Sequence, residues 1–321
     1  MIVVTGGAGF IGSVLIWKLN SMGISDILVV DEADINDRKV NLRNKKYAEY
    51  LDKDAFLDRL KRGKLPGKIE AILHMGACSS TLVQDAAYFS KNNFQYTRDL
   101  AVWCVGNGAI FLYASSAATY GDGALGYSDE DESTLTLKPL NLYGKSKQDF
   151  DVWALKNNYL NKITGFKFFN VYGPNEYHKG EMRSVIAKSF EEVVREKKIR
   201  LFKSYKPEYG DGEQKRDFIY VKDAVEAVYY FLEHPDKNGI FNVGTGAART
   251  WNELADGLFK ALHLPLSIEY IEMPEILRPR YQYFTEADTC KLRGAGYAKA
   301  FTPLGDGIRD YCGYLKDHSI L

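Results

Sequence analysis

The sequence is short of extremes. Its 42 basic and 42 acidic side chains cancel to a formal net charge of +0. That balance excludes a general field for nucleic acid or an anionic membrane, while leaving room for a local basic pocket around an anionic ligand. No apolar run nears the length that spans a bilayer, so no membrane anchor is expected. The opening residues, Met1-Ile2-Val3-Val4-Thr5, run straight towards a glycine turn without a basic and apolar leader, so no secretory signal is expected. Only four cysteines occur, Cys78, Cys104, Cys290 and Cys312, widely scattered. Without paired spacing they read as buried thiols in a reducing cytoplasm. The five histidines show no metal-ligand spacing, and a metal site is not expected. Internal repeats and low-complexity segments are also missing.

What is present fits a globular α/β enzyme. A chain of 321 residues, 45% of them hydrophobic, can build two core-bearing lobes, or one large α/β unit with a smaller lobe. Ile2–Thr5, Ile27–Asp31, Ala71–His74 and Ile110–Ala114 are compact apolar segments suited to strands buried on both faces. Between them, Ile11–Ser21 and Ala86–Asn107 carry helical spacing. This βαβα alternation predicts a doubly wound parallel sheet. Phe166–Asn170 and Phe241–Val243 read as further strands, Arg183–Lys197 as an amphipathic helix, and Lys203–Lys215 as a polar loop. Asp217–Val221 turns apolar again and is expected to return to the sheet. The expected division is a dinucleotide domain over 1–172 joined by a returning segment near 217–248. A smaller α/β substrate lobe then comprises 173–216 and 249–321.

Thr5-Gly6-Gly7-Ala8-Gly9-Phe10-Ile11-Gly12 follows the first predicted strand and opens the first helix. Glycines at this spacing permit a tight turn and let backbone amides approach a pyrophosphate at the helix N-terminus. Asp31 closes the second strand about twenty residues on, the context a dinucleotide fingerprint requires. Taken alone, Asp31 favours NAD through the adenosine ribose. Arg38, Lys39 and Lys53 offer cations for a 2′-phosphate and tilt the reading to NADP.

Tyr143 and Lys147 are spaced i and i+4, one turn apart on one face of a helix. A phenol with a reference pKa near 10 is a poor base at neutral pH, but a nearby ammonium favours its phenolate. Ser116, at the end of the Phe111–Ser115 strand, supplies a hydroxyl to the same reacting oxygen. Lys145 is only two residues from Tyr143 and faces elsewhere. Together these residues predict hydride chemistry at a carbon bearing oxygen.

These motifs are joined by Ser115-Ser116-Ala117-Ala118-Thr119-Tyr120-Gly121 and Asn170-Val171-Tyr172-Gly173-Pro174. Arg216-Asp217-Phe218-Ile219-Tyr220-Val221 and Phe241-Asn242-Val243-Gly244-Thr245-Gly246 follow later. With them, nearly the whole chain resembles the extended short-chain dehydrogenase/reductase family that modifies nucleotide sugars. Three stretches draw the resemblance towards the branch that epimerises ADP-heptoses: Gly76-Ala77-Cys78-Ser79-Ser80-Thr81, His178-Lys179-Gly180, and Arg280-Tyr281-Gln282-x-Phe284-Thr285.

The resemblance implies transient oxidation of C6″ of ADP-D-glycero-D-manno-heptose and re-reduction on the opposite face, in lipopolysaccharide inner-core biosynthesis. It implies one tightly held NADP per subunit, NAD being the lesser choice, and a homo-oligomer, usually a pentamer. Tyr143 and Lys179 take the two acid–base roles, with Lys147 and Ser116 completing the catalytic set. The cofactor site by resemblance comprises Gly6, Gly9, Phe10, Ile11, Gly12, Asp31, Glu32, Arg38, Lys53, Met75, Gly76, Ala77, Cys78, Ser79, Asn92, Lys147 and Val171. Substrate contacts fall to Ser116, Asn170, Glu181, Lys188, Phe202, Arg216 and Tyr281, with Arg216 and Tyr281 expected at the diphosphate. Two features depart from the family pattern: a longer, more charged Lys203–Lys215 segment, and Glu181 where a small hydroxyl residue is commoner. The competing readings are a UDP-hexose 4-epimerase, for which His178-Lys179-Gly180 has no use, and a non-catalytic dinucleotide sensor, which needs no Tyr143/Lys147 pair.

Overall fold

A computed structural model describes residues 1–65, 67–79, 83–278 and 281–321. Ser80, Thr81 and Arg280, which contribute to the resemblance, lie outside the described residues. The first half runs β1 (Ile2–Thr5), α1 (Phe10–Ser21), β2 (Ile27–Asp31), β3 (Glu49–Asp52), α2 (Lys53–Lys61), β4 (Ala71–His74), α3 (Ala86–Phe89) and α4 (Tyr96–Asn107). It continues with β5 (Ile110–Ser116), α5 (Asp131–Thr134), α6 (Leu142–Lys156) and β6 (Thr164–Phe168). The second half holds β7 (Asn170–Tyr172), α7 (Val185–Glu196), β8 (Ile199–Phe202), β9 (Lys215–Arg216), β10 (Phe218–Tyr220), α8 (Val221–Glu233) and β11 (Gly239–Val243). It ends with β12 (Arg249–Thr250), α9 (Trp251–Ala261), β13 (Ile268–Ile271), α10 (Cys290–Gly294) and α11 (Leu304–Asp317).

Seven strands form one parallel sheet in the order β11-β6-β5-β4-β1-β2-β3. Side chains alternate between faces along each strand. Ile2 and Val4 of β1 enter one core with Val14 and Leu15 of α1 and Val225 and Val228 of α8. Val3 enters the other, with Leu100 and Cys104 of α4 and Phe150 of α6. Burial on both faces explains why these strands read as continuous apolar runs. The strand order reverses between β1 and β4, and the crevice beyond their carboxyl ends is where open α/β sheets hold ligands.

Four expectations change. Asp217–Val221 does not rejoin the main sheet: Phe218–Tyr220 pairs with Asn170–Tyr172 in a separate two-stranded ladder. The segment that does return is Gly239–Val243, beside β6. The expected strand Phe166–Asn170 is broken at Phe169, so that β6 stays in the main sheet and β7 leaves it. Ala86–Asn107 is not one regular helix, because Ser90–Gln95 forms a π-helical turn between α3 and α4. Among the cysteines, Cys104 and Cys312 are buried and Cys78 half-buried, but Cys290 is exposed, contrary to the reading of four buried thiols. No helix among the described residues is long and apolar enough to cross a membrane.

Candidate active site

The ends of β1, β2, β4 and β5 open on a cavity of about 570 Å³, a volume suited to a cofactor-sized ligand. The glycine turn forms its floor. Gly9 is the N-cap of α1 and supplies no side-chain cap, so the first amides of the helix are left for an anion. A Cβ on Gly12 would stand 2.1 Å from the Gly6 carbonyl oxygen, so the turn can fold back on its helix only with glycine there. Gly6, Gly9, Phe10, Ile11 and Gly12 all line the cavity, as do Met75, Gly76, Ala77, Cys78, Ser79, Asn92 and Val171. These residues fit the pyrophosphate and nicotinamide ends of a dinucleotide.

At the adenosine end, Asp31 is already heavily engaged. Its Oδ2 accepts the Ala8 amide at 2.9 Å, and its Oδ1 accepts the Glu32 amide at 2.9 Å and Arg38 Nη1 at 3.1 Å. Arg38 also donates to Glu32 at 2.9 Å, and its buried Nε makes no hydrogen bond but faces Asp37 Oδ1 at 3.4 Å. Lys53 reaches the cavity and donates to Asn92 Oδ1 at 3.2 Å. Asn92 is brought there by the π turn. The next residue, Asn93, is buried and holds the wall by three hydrogen bonds, two to the Cys78 backbone and one to Ser146 Oγ at 2.9 Å.

Tyr143, Lys147 and Ser116 meet on one wall of the same cavity. The Asn141 side chain caps α6 by accepting the Gly144 amide at 2.8 Å, which starts the helix at Leu142 and puts the tyrosine in its first turn. Gly144 lets α6 press on the turn after β5, since a Cβ there would meet the Ala118 carbonyl at 2.7 Å. Lys147 donates to the Ala114 carbonyl at 2.7 Å, and burial pulls its pKa down to about 8 against the opposing charge of Asp151. Burial also raises the Tyr143 phenol above its ordinary range, while a hydrogen bond with Ser116 draws it back. The expected lowering by the Lys147 ammonium is not what governs the phenol, which burial holds above its ordinary range. Lys145 is on the outer face, paired with Asp149 at 2.7 Å.

Lys179 approaches the cavity from a different element, the 3-10 turn Tyr177–Met182. Its ammonium stands 5.2 Å from the centre of the Phe10 ring. Burial lowers its pKa and Glu176 opposes that shift. His178 also lines the cavity. Its Nδ1 lies 3.2 Å from Asn41 Nδ2, and burial holds its pKa near 4, so it is a neutral ring at physiological pH.

The comparisons with known proteins bear on the same scaffold. Residues 2–244 match the model of the NAD dependent epimerase/dehydratase family. The chain belongs to the NAD dependent epimerase/dehydratase family. It is 54% identical over 311 residues to the ADP-L-glycero-D-manno-heptose-6-epimerase of Nitratidesulfovibrio vulgaris, covering 97% of this chain and 96% of that one. It is 47% identical over 320 residues to the protein of the same name from Fusobacterium nucleatum, again covering 97% and 96%. The crystal structure of the Helicobacter pylori ADP-L-glycero-D-manno-heptose-6-epimerase superposes with a TM-score of 0.82 at 28% identity, over 99% of this chain and 96% of that one.

The other residues named from resemblance to this epimerase/dehydratase family lie outside the lining of the cofactor cavity. Arg216 is buried, with its guanidinium 5.3 Å from the Tyr281 ring and 5.8 Å from the Trp251 ring. Phe202 packs on Tyr281 at 6.3 Å, and Trp251 Nε1 donates to the Tyr281 hydroxyl at 2.9 Å. An aromatic-flanked arginine of this kind suits a base or a phosphate. Asn170 bridges the two regions: its neighbours Phe169 and Val171 line the cavity, and its Oδ1 accepts the Thr285 hydroxyl at 3.5 Å. Glu181 and Lys188 are exposed beside Met182, with Lys188 Nζ donating to the Glu181 carbonyl at 3.2 Å.

No residue pattern points directly to the buried charges behind the site. Asp151 accepts the Ser115 hydroxyl at 2.6 Å and the Tyr113 hydroxyl at 3.0 Å. It faces Lys167 at 3.8 Å, both side chains being fully buried. Lys167 donates to Thr119 Oγ1 at 3.0 Å, which donates to the Ser116 carbonyl at 2.8 Å. Among the described residues no cluster of metal-ligating side chains is found.

Proposed function

We propose that this chain inverts C6″ of ADP-D-glycero-D-manno-heptose to give ADP-L-glycero-D-manno-heptose, using a resident NADP that is not consumed. The observation carrying this reading is that Tyr143 and Lys179 line one cavity from two separate elements, a helix and a turn. Held by the glycine turn (Gly6, Gly9, Gly12) and Lys147, NADP would supply reversible hydride transfer at C6″.

Inversion needs a proton handled at the C6″ oxygen in two orientations. One group on a rigid helix is poorly placed for both epimers. Tyr143 serves one, assisted by the Ser116 hydroxyl. Lys179 serves the other, burial favouring the unprotonated amine that can take a proton. Lys147 holds the cofactor side of the tyrosine. Asn170 spans the region between the cavity and Arg216, where the nucleotide diphosphate is placed against Arg216, Tyr281 and Phe202. Glu181 and Lys188 complete the substrate side.

NADP is favoured over NAD because Asp31 spends both carboxylate oxygens on backbone amides and Arg38, and a 2′-phosphate would draw Arg38 and Lys53 from their present carboxylate partners Asp31, Glu32, Asp37 and Asp54. The division into a dinucleotide domain (1–172 with the returning segment) and a substrate lobe, the pentameric assembly and the cytoplasmic setting belong to the same proposal.

The test is incubation of the protein as purified with ADP-D-glycero-D-manno-heptose and, separately, with a UDP-hexose, after denaturing a sample to identify the released nucleotide. Conversion of the heptose to its C6″ epimer, with NADP(H) released, is expected. Conversion of the UDP-hexose alone would establish the 4-epimerase reading, and neither conversion with an intact cofactor would point to a sensor.

A further inference from the structure

Glu176 is fully buried, three residues before Lys179. A carboxylate in such a place is costly unless it is paired and hydrogen-bonded. Its Oε2 accepts the Ser184 amide at 2.7 Å, and its Oε1 accepts the Ser184 hydroxyl at 2.6 Å and the Gly173 amide at 3.5 Å. Ser184 is also the N-cap of α7. The Glu176 carbonyl accepts the Lys179 amide at 3.0 Å. One residue thus ties the start of the loop to its end and holds the backbone of Lys179 between them.

The loop has an independent footing. Asn175, at φ 77°, donates to Ser13 Oγ at 2.9 Å, and its carbonyl accepts Asn41 Nδ2 at 3.1 Å. Changing Glu176 therefore leaves the base of the loop attached to α1.

We propose that Glu176 is the positioning residue of the second acid–base group: its carboxylate fixes the Tyr177–Met182 turn against α7 and is the counter-charge that keeps Lys179 able to carry a proton. This rests on Lys179 acting in acid–base chemistry. An amine that gives and takes the same proton during one turnover has to keep both forms accessible. Burial drives Lys179 towards the neutral amine, and Glu176 opposes it. The other groups around the pair are the neutral His178 and the Phe10 ring on the Lys179 side, and Tyr177 and Tyr311 on the Glu176 side. Arg38 and Asp37 act on His178, and Arg183 acts on Tyr311.

The experiment compares Glu176→Gln and Glu176→Asp holoenzymes with wild type. It measures kcat and KM for C6″ epimerisation across pH, together with thermal unfolding. Glu176→Gln removes the charge and is expected to lower kcat on the order of 10-fold. The Lys179-dependent limb of the profile should move down by about one pH unit, with KM held within about 2-fold. Glu176→Asp keeps the charge and should leave the limb where it is. A Glu176→Gln protein with a lower Tm or a higher KM but an unmoved limb would overturn the proposal. So would a limb displaced equally by Asp. If Glu176→Gln does not fold, the Asp profile decides alone: an unmoved limb supports the charge role and a displaced one overturns it. Lys179→Ala separates the premise from the proposal. Undiminished epimerisation by that variant refutes the Lys179 reading itself, whereas a dead Lys179→Ala beside an unshifted Glu176→Gln refutes only the role of Glu176.

Discussion

Tyr143 and Lys147 stand on a 15-residue helix pressed against the main sheet, whereas Lys179 stands on a six-residue 3-10 turn between a two-stranded ladder and α7. Each lysine is lowered by burial, and each is opposed by a buried carboxylate, Asp151 on the helix and Glu176 on the loop. The carboxylates differ in what else they hold. Asp151 bonds to the strand hydroxyls Ser115 and Tyr113 and faces Lys167 inside the core. Glu176 bonds within its own loop and to the cap of α7, with the Tyr311 hydroxyl of α11 beside it. The same electrostatic device is thus built once into the sheet and once into a turn. A fault on the first side should therefore cost the fold most, and a fault on the second should cost the chemistry most.

The sharpest way to break this comparison is Asp151→Ala. It leaves Lys167 buried without its counter-charge, and removing one partner of such a pair typically costs about 3–5 kcal/mol. Denaturant unfolding should show a loss of that order. A loss below about 0.5 kcal/mol, the range of ordinary surface changes, would contradict the assignment of Asp151 to the core.

A smaller effect separates the sides by pH. Lys147 titrates near 8, so any rate that needs its ammonium falls as pH rises through about 8. Asp151→Asn withdraws the charge that raises this pKa, and the fall should move to lower pH. A profile that moves upward, or does not move, contradicts the pairing.

The strands were legible where they are buried on both faces, since Val3, Val4, Leu28 and Val29 have no polar face to show. Glu49–Asp52 carries no such signal, because it is a polar strand at the sheet edge. Asp217–Val221 is as apolar as a sheet strand, and composition does not say which ladder buries it. The π turn keeps enough helical periodicity to hide, although it is what turns Asn92 and Asn93 inward. Site residues inside short motifs, such as the glycine turn and the Tyr143/Lys147 pair, were readable from spacing. Asp151, Lys167 and Glu176 were not, because a charged residue reads as solvent-facing until its partners are known.

The central claim is that two groups on opposite sides of the cavity each serve one epimer. It is tested most directly by mixing Tyr143→Phe and Lys179→Ala holoenzymes, each carrying the oxidised cofactor, with either purified C6″ epimer and following nicotinamide reduction in a single turnover. The account predicts that each variant loses reduction by one epimer and keeps it with the other, and that the two variants lose opposite ones. Equal loss with both epimers in both variants, or full reduction by Lys179→Ala with either epimer, would contradict it.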